Sequence, residues 1–188
     1  MNEAALVLTD EQLAKARSGE RAALAALVGA HQRSVYSLAL RMLGTRDLAE
    51  DLTQDVFMQL NSNLNSIESA KHLVFWLRKV TTYRAIDQLR RRSRMELTPL
   101  DDEEPVLSTV DGGDPLFQRH LRLLLLELSP PARAVLLLRY QEDLDPIDIA
   151  QTLDMPINTV KSHLKRSLEA LRQRTPGPEP IRCEDKST

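Results

Sequence analysis

The sequence predicts an all-α protein: two small helical domains joined by an acidic flexible linker. Three observations carry this. Aromatic residues are only 4% of the 188 residues, and no long alternation of apolar and polar residues occurs, so strand signals are nearly absent. Apolar residues instead recur at spacings of three and four, the period of helices that bury one face. Between residues 98 and 115, three prolines, two glycines and clustered acids form a stretch too polar to bury itself. The expected organisation is a first domain over 1–95, a linker over 96–115, a second domain over 116–175 and a disordered tail over 176–188, where Pro176, Pro178 and Pro180 fall close together.

Each helix has its own signal. Leu13 and Ala16, then Ala23, Leu24, Leu27 and Val28, suit an N-terminal helix interrupted near Ser18-Gly19. Val35, Leu38, Ala39, Met42 and Leu43 continue the pattern to Gly44, a good residue just past a helix end. Residues 45–47 offer N-caps for the next helix, whose Leu48, Leu52, Val56 and Leu60 share one face. Residues 61–69, with three Asn and three Ser, read as a polar loop. A helix from near His72 buries Leu73, Trp76, Leu77 and Val80, followed by Tyr83, Ile86 and Leu89. Toward the C-terminus, Pro146 suits the first turn of a short helix over 147–153. After a turn at Asp154-Met155-Pro156, a second helix carries the stripe Val160, Leu164, Leu168 and Leu171. The spacing of Ala150, Asp154 and Val160 is that of a helix-turn-helix, with Asp154 in place of the usual turn glycine; Asp tolerates the left-handed region.

Composition excludes several classes. The longest uninterrupted apolar run, Ala22–Val28, is seven residues, and the four leucines 123–126 are shorter still; both are far short of a membrane helix, so no membrane insertion is expected. The first ten residues have neither a basic region nor an apolar stretch, so no secretory signal is expected and the cytoplasm is the expected compartment. One cysteine, Cys183, excludes an internal disulfide framework. His31, His72, His120 and His163 are scattered without ligand spacing, and no GxSxG, P-loop or HExxH occurs. Neither an enzyme nor a bound cofactor or metal is expected.

The net charge of −2 argues against a nucleic-acid partner only when taken as a sum. Residues 78–94 hold seven Lys or Arg against Asp87; residues 158–174 hold five against Glu169; residues 96–114 hold seven acids and no base. Local potential is what a polyanion feels. On the helix over 47–60, Asp47, Glu50, Asp51, Gln54 and Asp55 occupy the arc opposite the leucines, with Phe57 at its edge and Met58 within it. An unbalanced acidic arc with apolar residues suits a basic protein partner. Trp76 and Tyr83, with Arg84 and the run Arg90, Arg91, Arg92 and Arg94 around the single acid Asp87, preceded by Asn61, Asn63 and Asn65, combine cations for phosphate with π-faces for unstacked bases. The second helix of the helix-turn-helix exposes Asn158, Thr159, Lys161, Ser162, Lys165 and Arg166, with His163 nearby, a face suited to the major groove.

Four motifs, in order, make the chain resemble the bacterial sigma-70 family of RNA polymerase initiation factors, in its small two-domain extracytoplasmic-function (ECF) form. They are DLAEDLTQDVF at 47–57, FWLRKVTTYRAIDQLRRRSR at 75–94, LSPPARAVLLLRY at 128–140 and IAQTLDMPINTVKSHL at 149–164. The resemblance implies that the acidic helix docks on the β′ clamp helices of core polymerase through Asp47, Glu50, Asp51, Gln54, Asp55 and Phe57. It implies that the segment from Asn61 to Arg94 recognises and melts the −10 promoter element, that residues 145–174 read the −35 element, and that the second domain meets the β flap. It further implies an anti-sigma factor and a stress or envelope-response regulon. Asp154 and Asn158 stand where the family often has Gly, and His163 where it often has Arg; these departures bear on the −35 sequence preferred. A free-standing helix-turn-helix regulator, acting as a dimer on duplex DNA, would use residues 145–174 but leave the acidic and Arg90–Arg94 helices without a task.

Overall fold

The structure, a computed structural model, describes residues 10–94 and 115–174. The linker expected over 96–115 and the tail expected over 176–188 lie essentially outside the described residues. Among the described residues there are eight α-helices and no strand.

Helices α1 (Asp10–Arg17), α2 (Arg21–Leu43), α3 (Arg46–Asn63) and α4 (Ala70–Arg94) build the first domain. The break between α1 and α2 falls at Gly19, whose φ of 90° reverses the chain as only glycine does readily. Gly44 ends α2 in the same left-handed region, its N–H bonding Leu40 O at 2.8 Å. Thr45 is the N-cap of α3, though its hydroxyl makes no capping bond. Leu27, Val35, Leu38 and Met42 of α2 meet Leu52, Val56 and Leu60 of α3 and Leu73 and Leu77 of α4 in one core.

The polar loop expected over 61–69 is mostly helical. α3 runs on to Asn63 and a 3₁₀ turn covers Leu64–Ser66. Leu64 and Ile67 are buried and anchor the segment, while Asn63 and Ser66 bond main-chain oxygens locally. Polar composition marked a loop, but two apolar residues three apart were enough to pin a helical turn onto the core. α4 starts two residues before His72; Ser69 Oγ accepts from His72 N and Asp10 of α1 accepts from Ala70 N at 2.8 Å, two free N–H groups satisfied. Tyr83, placed on the buried face from sequence, is 40% exposed, and Trp76 and Val80 are half-buried.

Helices α5 (Pro115–Glu127), α6 (Pro130–Tyr140), α7 (Pro146–Thr152) and α8 (Ile157–Arg174) form the second domain. Asp145 caps α7, accepting from Ile147 N and Asp148 N. The α7–α8 turn holds Asp154 at φ 47°, the left-handed conformation expected there. α8 packs with Val160 and Ser167 buried and Leu164 and Leu168 half-buried. Ser167 lies in line between Val160 and Leu171 at 100° per residue, so its small side chain lets α8 approach its neighbours.

The second domain packs on the first. Arg133 of α6, only 4% exposed, sits at the seam. Its guanidinium donates to Leu125 O at 2.9 Å, to Leu126 O and Leu128 O near the end of α5, and to Met42 O near the end of α2. Helix ends leave carbonyls without partners and carry partial negative charge; one planar five-donor cation serves two such ends at once. Burial pushes the Arg133 guanidinium down to about 10, leaving it charged at neutral pH. Arg122 donates to Gly44 O at 2.7 Å, and Leu126 packs against Gly44. Arg78 of α4 donates Nε–H to Glu142 Oε2 at 2.8 Å, and Gln141 reaches Ser37 Oγ at 3.3 Å.

Candidate nucleic-acid interface and protein-docking face

Three surfaces emerge from these helices. The first is the outer arc of α3. Asp47, Glu50, Asp51, Gln54 and Asp55 are all exposed; Phe57 is half-buried against the core and Met58 is 63% exposed. The arc borders an open groove of about 930 Å³ between α2 and α3, lined by Tyr36, Arg46, Glu50, Gln54, Phe57 and Met58 among others. Apolar Phe57 and Met58 set within carboxylates give a basic amphipathic helix both something to bury and something to pair with.

The second surface is α4. Trp76, Lys79, Val80, Tyr83 and Asp87 fall within about 100° of arc when placed at 100° per residue. Lys79 Nζ lies 5.9 Å from the Phe75 ring and 5.8 Å from the Tyr83 ring, held between aromatics one turn to either side. Burial, then the nearby Asp154 carboxylate, holds the Tyr83 phenol above its usual range, so it remains a neutral donor. Lys79 and Phe75 belong to this surface but are not among the residues the sequence points to. Their i, i+4 spacing was the available signal. Asp87 pairs with Arg91 at 2.7 Å, whereas Arg90, Arg92 and Arg94 extend the cationic end of α4. Asn61, Asn63 and Asn65 are exposed beside the α3–α4 connection.

Arg84 joins the first two surfaces. It donates Nε–H to Gln59 at 2.8 Å and pairs with Asp55 at 2.9 Å. Sequence reading assigned Asp55 and Arg84 to different partners; the structure brings them together, because α3 and α4 are neighbours and Asp55 lies at the α4 edge of its arc.

The third surface is α8. Asn158, Thr159, Lys161, Ser162, Lys165 and Arg166 are exposed and His163 is half-buried. At 100° per residue Ser162 and Lys165 lie opposite the buried Val160–Ser167 side, with Lys161 on its flank. The Ser162 hydroxyl bonds Asn158 O at 2.8 Å, a local bond.

Among the described residues no group of His, Cys, Asp or Glu is arranged to hold a metal ion. None of their helices is long and apolar enough to cross a membrane.

Comparison with known proteins agrees with this geometry. The family model for Sigma-70 region 2 matches residues 27–95, which hold α3 and α4, and the model for Sigma-70 region 4 matches 118–171, which hold the helix-turn-helix. The ECF RNA polymerase sigma factor SigW of Bacillus subtilis is 25% identical over 186 residues, covering 89% of this chain and 96% of that protein. The ECF RNA polymerase sigma factor SigE of Mycolicibacterium smegmatis is 31% identical over 166 residues, covering 82% of this chain and 63% of that protein. Among solved structures, a sigma factor RpoE in complex with the anti-sigma factor NepR from Bartonella quintana superposes with a TM-score of 0.66 at 21% identity, covering 78% of this chain and 92% of that one. CnrH in complex with the cytosolic domain of CnrY gives 0.63 at 19%, covering 88% and 95%. These two share the fold. With both region models matched in order on the helices that carry the three surfaces, the chain belongs to the sigma-70 family, in its ECF group, whose members are non-enzymatic transcription initiation factors.

Proposed function

We propose that this chain is a dissociable promoter-specificity subunit of bacterial RNA polymerase. The observation that carries the reading is the separation of charge by surface: an acidic, partly apolar arc on α3, and two cationic faces on α4 and α8. The α3 arc, through Asp47, Glu50, Asp51, Gln54, Asp55 and Phe57, docks on the β′ clamp helices, and the second domain contacts the β flap. Asn61, Asn63, Asn65, Trp76, Arg84 and the Arg90–Arg94 end of α4 take the −10 element, capturing unpaired bases by stacking and phosphates by charge. α8 reads the −35 element through Asn158 to Arg166. Each DNA surface supplies few contacts, so promoter binding depends on both being held on one polymerase at high effective concentration. In this reading the domains run over 1–95 and 116–175, and the protein works in the cytoplasm.

The relatives solved with anti-sigma factors support such a partner here, controlling a stress or envelope-response regulon. The test is reconstitution of the chain with core polymerase on a library of genomic fragments. Promoter-dependent transcripts that begin only when the chain is added are expected; their absence from every fragment sinks the proposal.

A further inference from the structure

We infer that helix α1 is a strut for the turn over residues 64–69, and that Asp10 and His72 are positioning residues which set this turn for capture of an unpaired base. Only the consequence for DNA rests on the promoter-reading role proposed above; the strut itself does not.

The turn cannot hold its own shape. Its 3₁₀ part is three residues, Leu64–Ser66, closed by one main-chain bond in which Ile67 N donates to Leu64 O at 3.2 Å. Such short turns have poorer hydrogen-bond geometry than an α-helix. Leu64 and Ile67, 5% and 0% exposed, fix the floor on the core. The far end, residues 68–70, holds no large apolar residue. Three side chains hold it instead. Ser69 Oγ accepts from His72 N at 3.1 Å, and His72 reaches back so that its Nδ1 accepts from Glu68 N at 3.1 Å. This is the reciprocal arrangement of a capping box, with His in the place of Glu or Gln and reaching one residue farther back. Asp10 Oδ1 of α1 accepts from Ala70 N at 2.8 Å, across 60 positions of sequence.

Asp10 stands on a fixed support, because Leu13 and Ala16 bury the inner face of α1 in the first-domain core. The region 2 family model matches from residue 27 onward, so α1 and its tether lie outside the matched segment. The turn in turn fixes what is presented. Asn63 commits its amide nitrogen to Gln59 O at 2.8 Å, whereas the side chains of Asn61 and Asn65 make no hydrogen bond among the described residues. Asn65 is exposed and sits within the turn itself. An amide on a preset turn meets a base with little further ordering; on an unset turn that ordering subtracts from affinity. One cap is worth about fivefold in the equilibrium between set and unset turn, which bounds the effect of either contact on capture.

Two measurements on the full chain test this. The first is amide exchange of residues 64–72 in the free protein. Asp10→Ala and His72→Leu should each speed exchange there about fivefold, while α2 and the first half of α3 exchange as in the parent and show that the variants are folded. Asp10→Asn and His72→Gln, which keep an acceptor oxygen, should match the parent. The second is binding of the holoenzyme, formed with core polymerase, to a forked probe: the strongest promoter from the reconstitution above, with its −10 segment unpaired. Asp10→Ala and His72→Leu should weaken capture by about two- to fivefold and leave core-polymerase affinity and binding of the duplex −35 segment unchanged. Asp10→Asn and His72→Gln should restore capture. Unchanged exchange in both Asp10→Ala and His72→Leu overturns the strut. Faster exchange with unaltered capture overturns the positioning role, as does equal loss of capture in Asp10→Asn and His72→Gln. If the parent holoenzyme captures no forked probe, the promoter-reading role fails, and the exchange rates still decide the strut.

Discussion

Arg133→Met replaces the seam cation with an apolar chain of similar reach. Four main-chain oxygens, those of Met42, Leu125, Leu126 and Leu128, then lose their donor. Hydrogen bonds to a charged group contribute about 1.5–3 kcal/mol each, less than additively when one group makes several. Against this stands the cost of burying the charge: a guanidinium lowered to about 10 is disfavoured by roughly 3 kcal/mol. Leu125 O keeps Leu128 N as a second donor at 3.2 Å, but the other three carbonyls stay behind at two helix ends without the cation, so removing it does not recover that cost. A net loss of about 3 kcal/mol follows, which for a chain of this size lowers Tm by roughly 6–12 °C. Arg133→Lys should recover less than half, since an ammonium cannot span oxygens on two helices as a planar fork does. Thermal unfolding followed by circular dichroism reads both variants. If Arg133→Met melts within about 2 °C of the parent, water satisfies these carbonyls and the reasoning fails.

Asp51→Arg, at an exposed position, should abolish capture of core polymerase while leaving Tm within about 2 °C; pull-down and melting together check this. Lys161→Ala and Arg166→Ala should each weaken −35-dependent initiation and lower the salt slope of DNA binding by about 1, measured by titration from low to physiological salt. His31 is buried with Nε2 unpartnered, and burial, then Arg78, holds its imidazole below its ordinary value. Above pH 6.5 neither state is protonated there and no stability is lost. Below it the unfolded chain takes up a proton that the folded one refuses, so stability falls with acidification. Urea midpoints at pH 7.5 and 5.5 should differ more for the parent than for His31→Leu, and equal differences would refute this.

Local signals made much of the molecule legible in advance. The breaks at Gly19 and Gly44, the start of α7 at Pro146 and the left-handed Asp154 each depend on a residue and its immediate neighbours. The acidic arc of α3 and the cationic face of α8 follow from helical geometry alone. Where composition and packing disagreed, packing won: residues 61–66 are helical because Leu64 and Ile67 find the core, though asparagine and serine favour a loop.

Sequence by itself determined most of the helices, their order, and which faces carry charge, because these obey a period of 3.6 residues read along one chain. Only the tertiary structure decided what the charges meet. Arg78, Arg122, Arg133 and Glu142 look like ordinary surface charges in the string; their partners lie 64, 78, 91 and 64 positions away. Asp55 and Arg84, assigned to two different partners by position, form one pair across 29 residues. Contacts of that span depend on how helices are placed against one another, which no periodicity within a helix encodes.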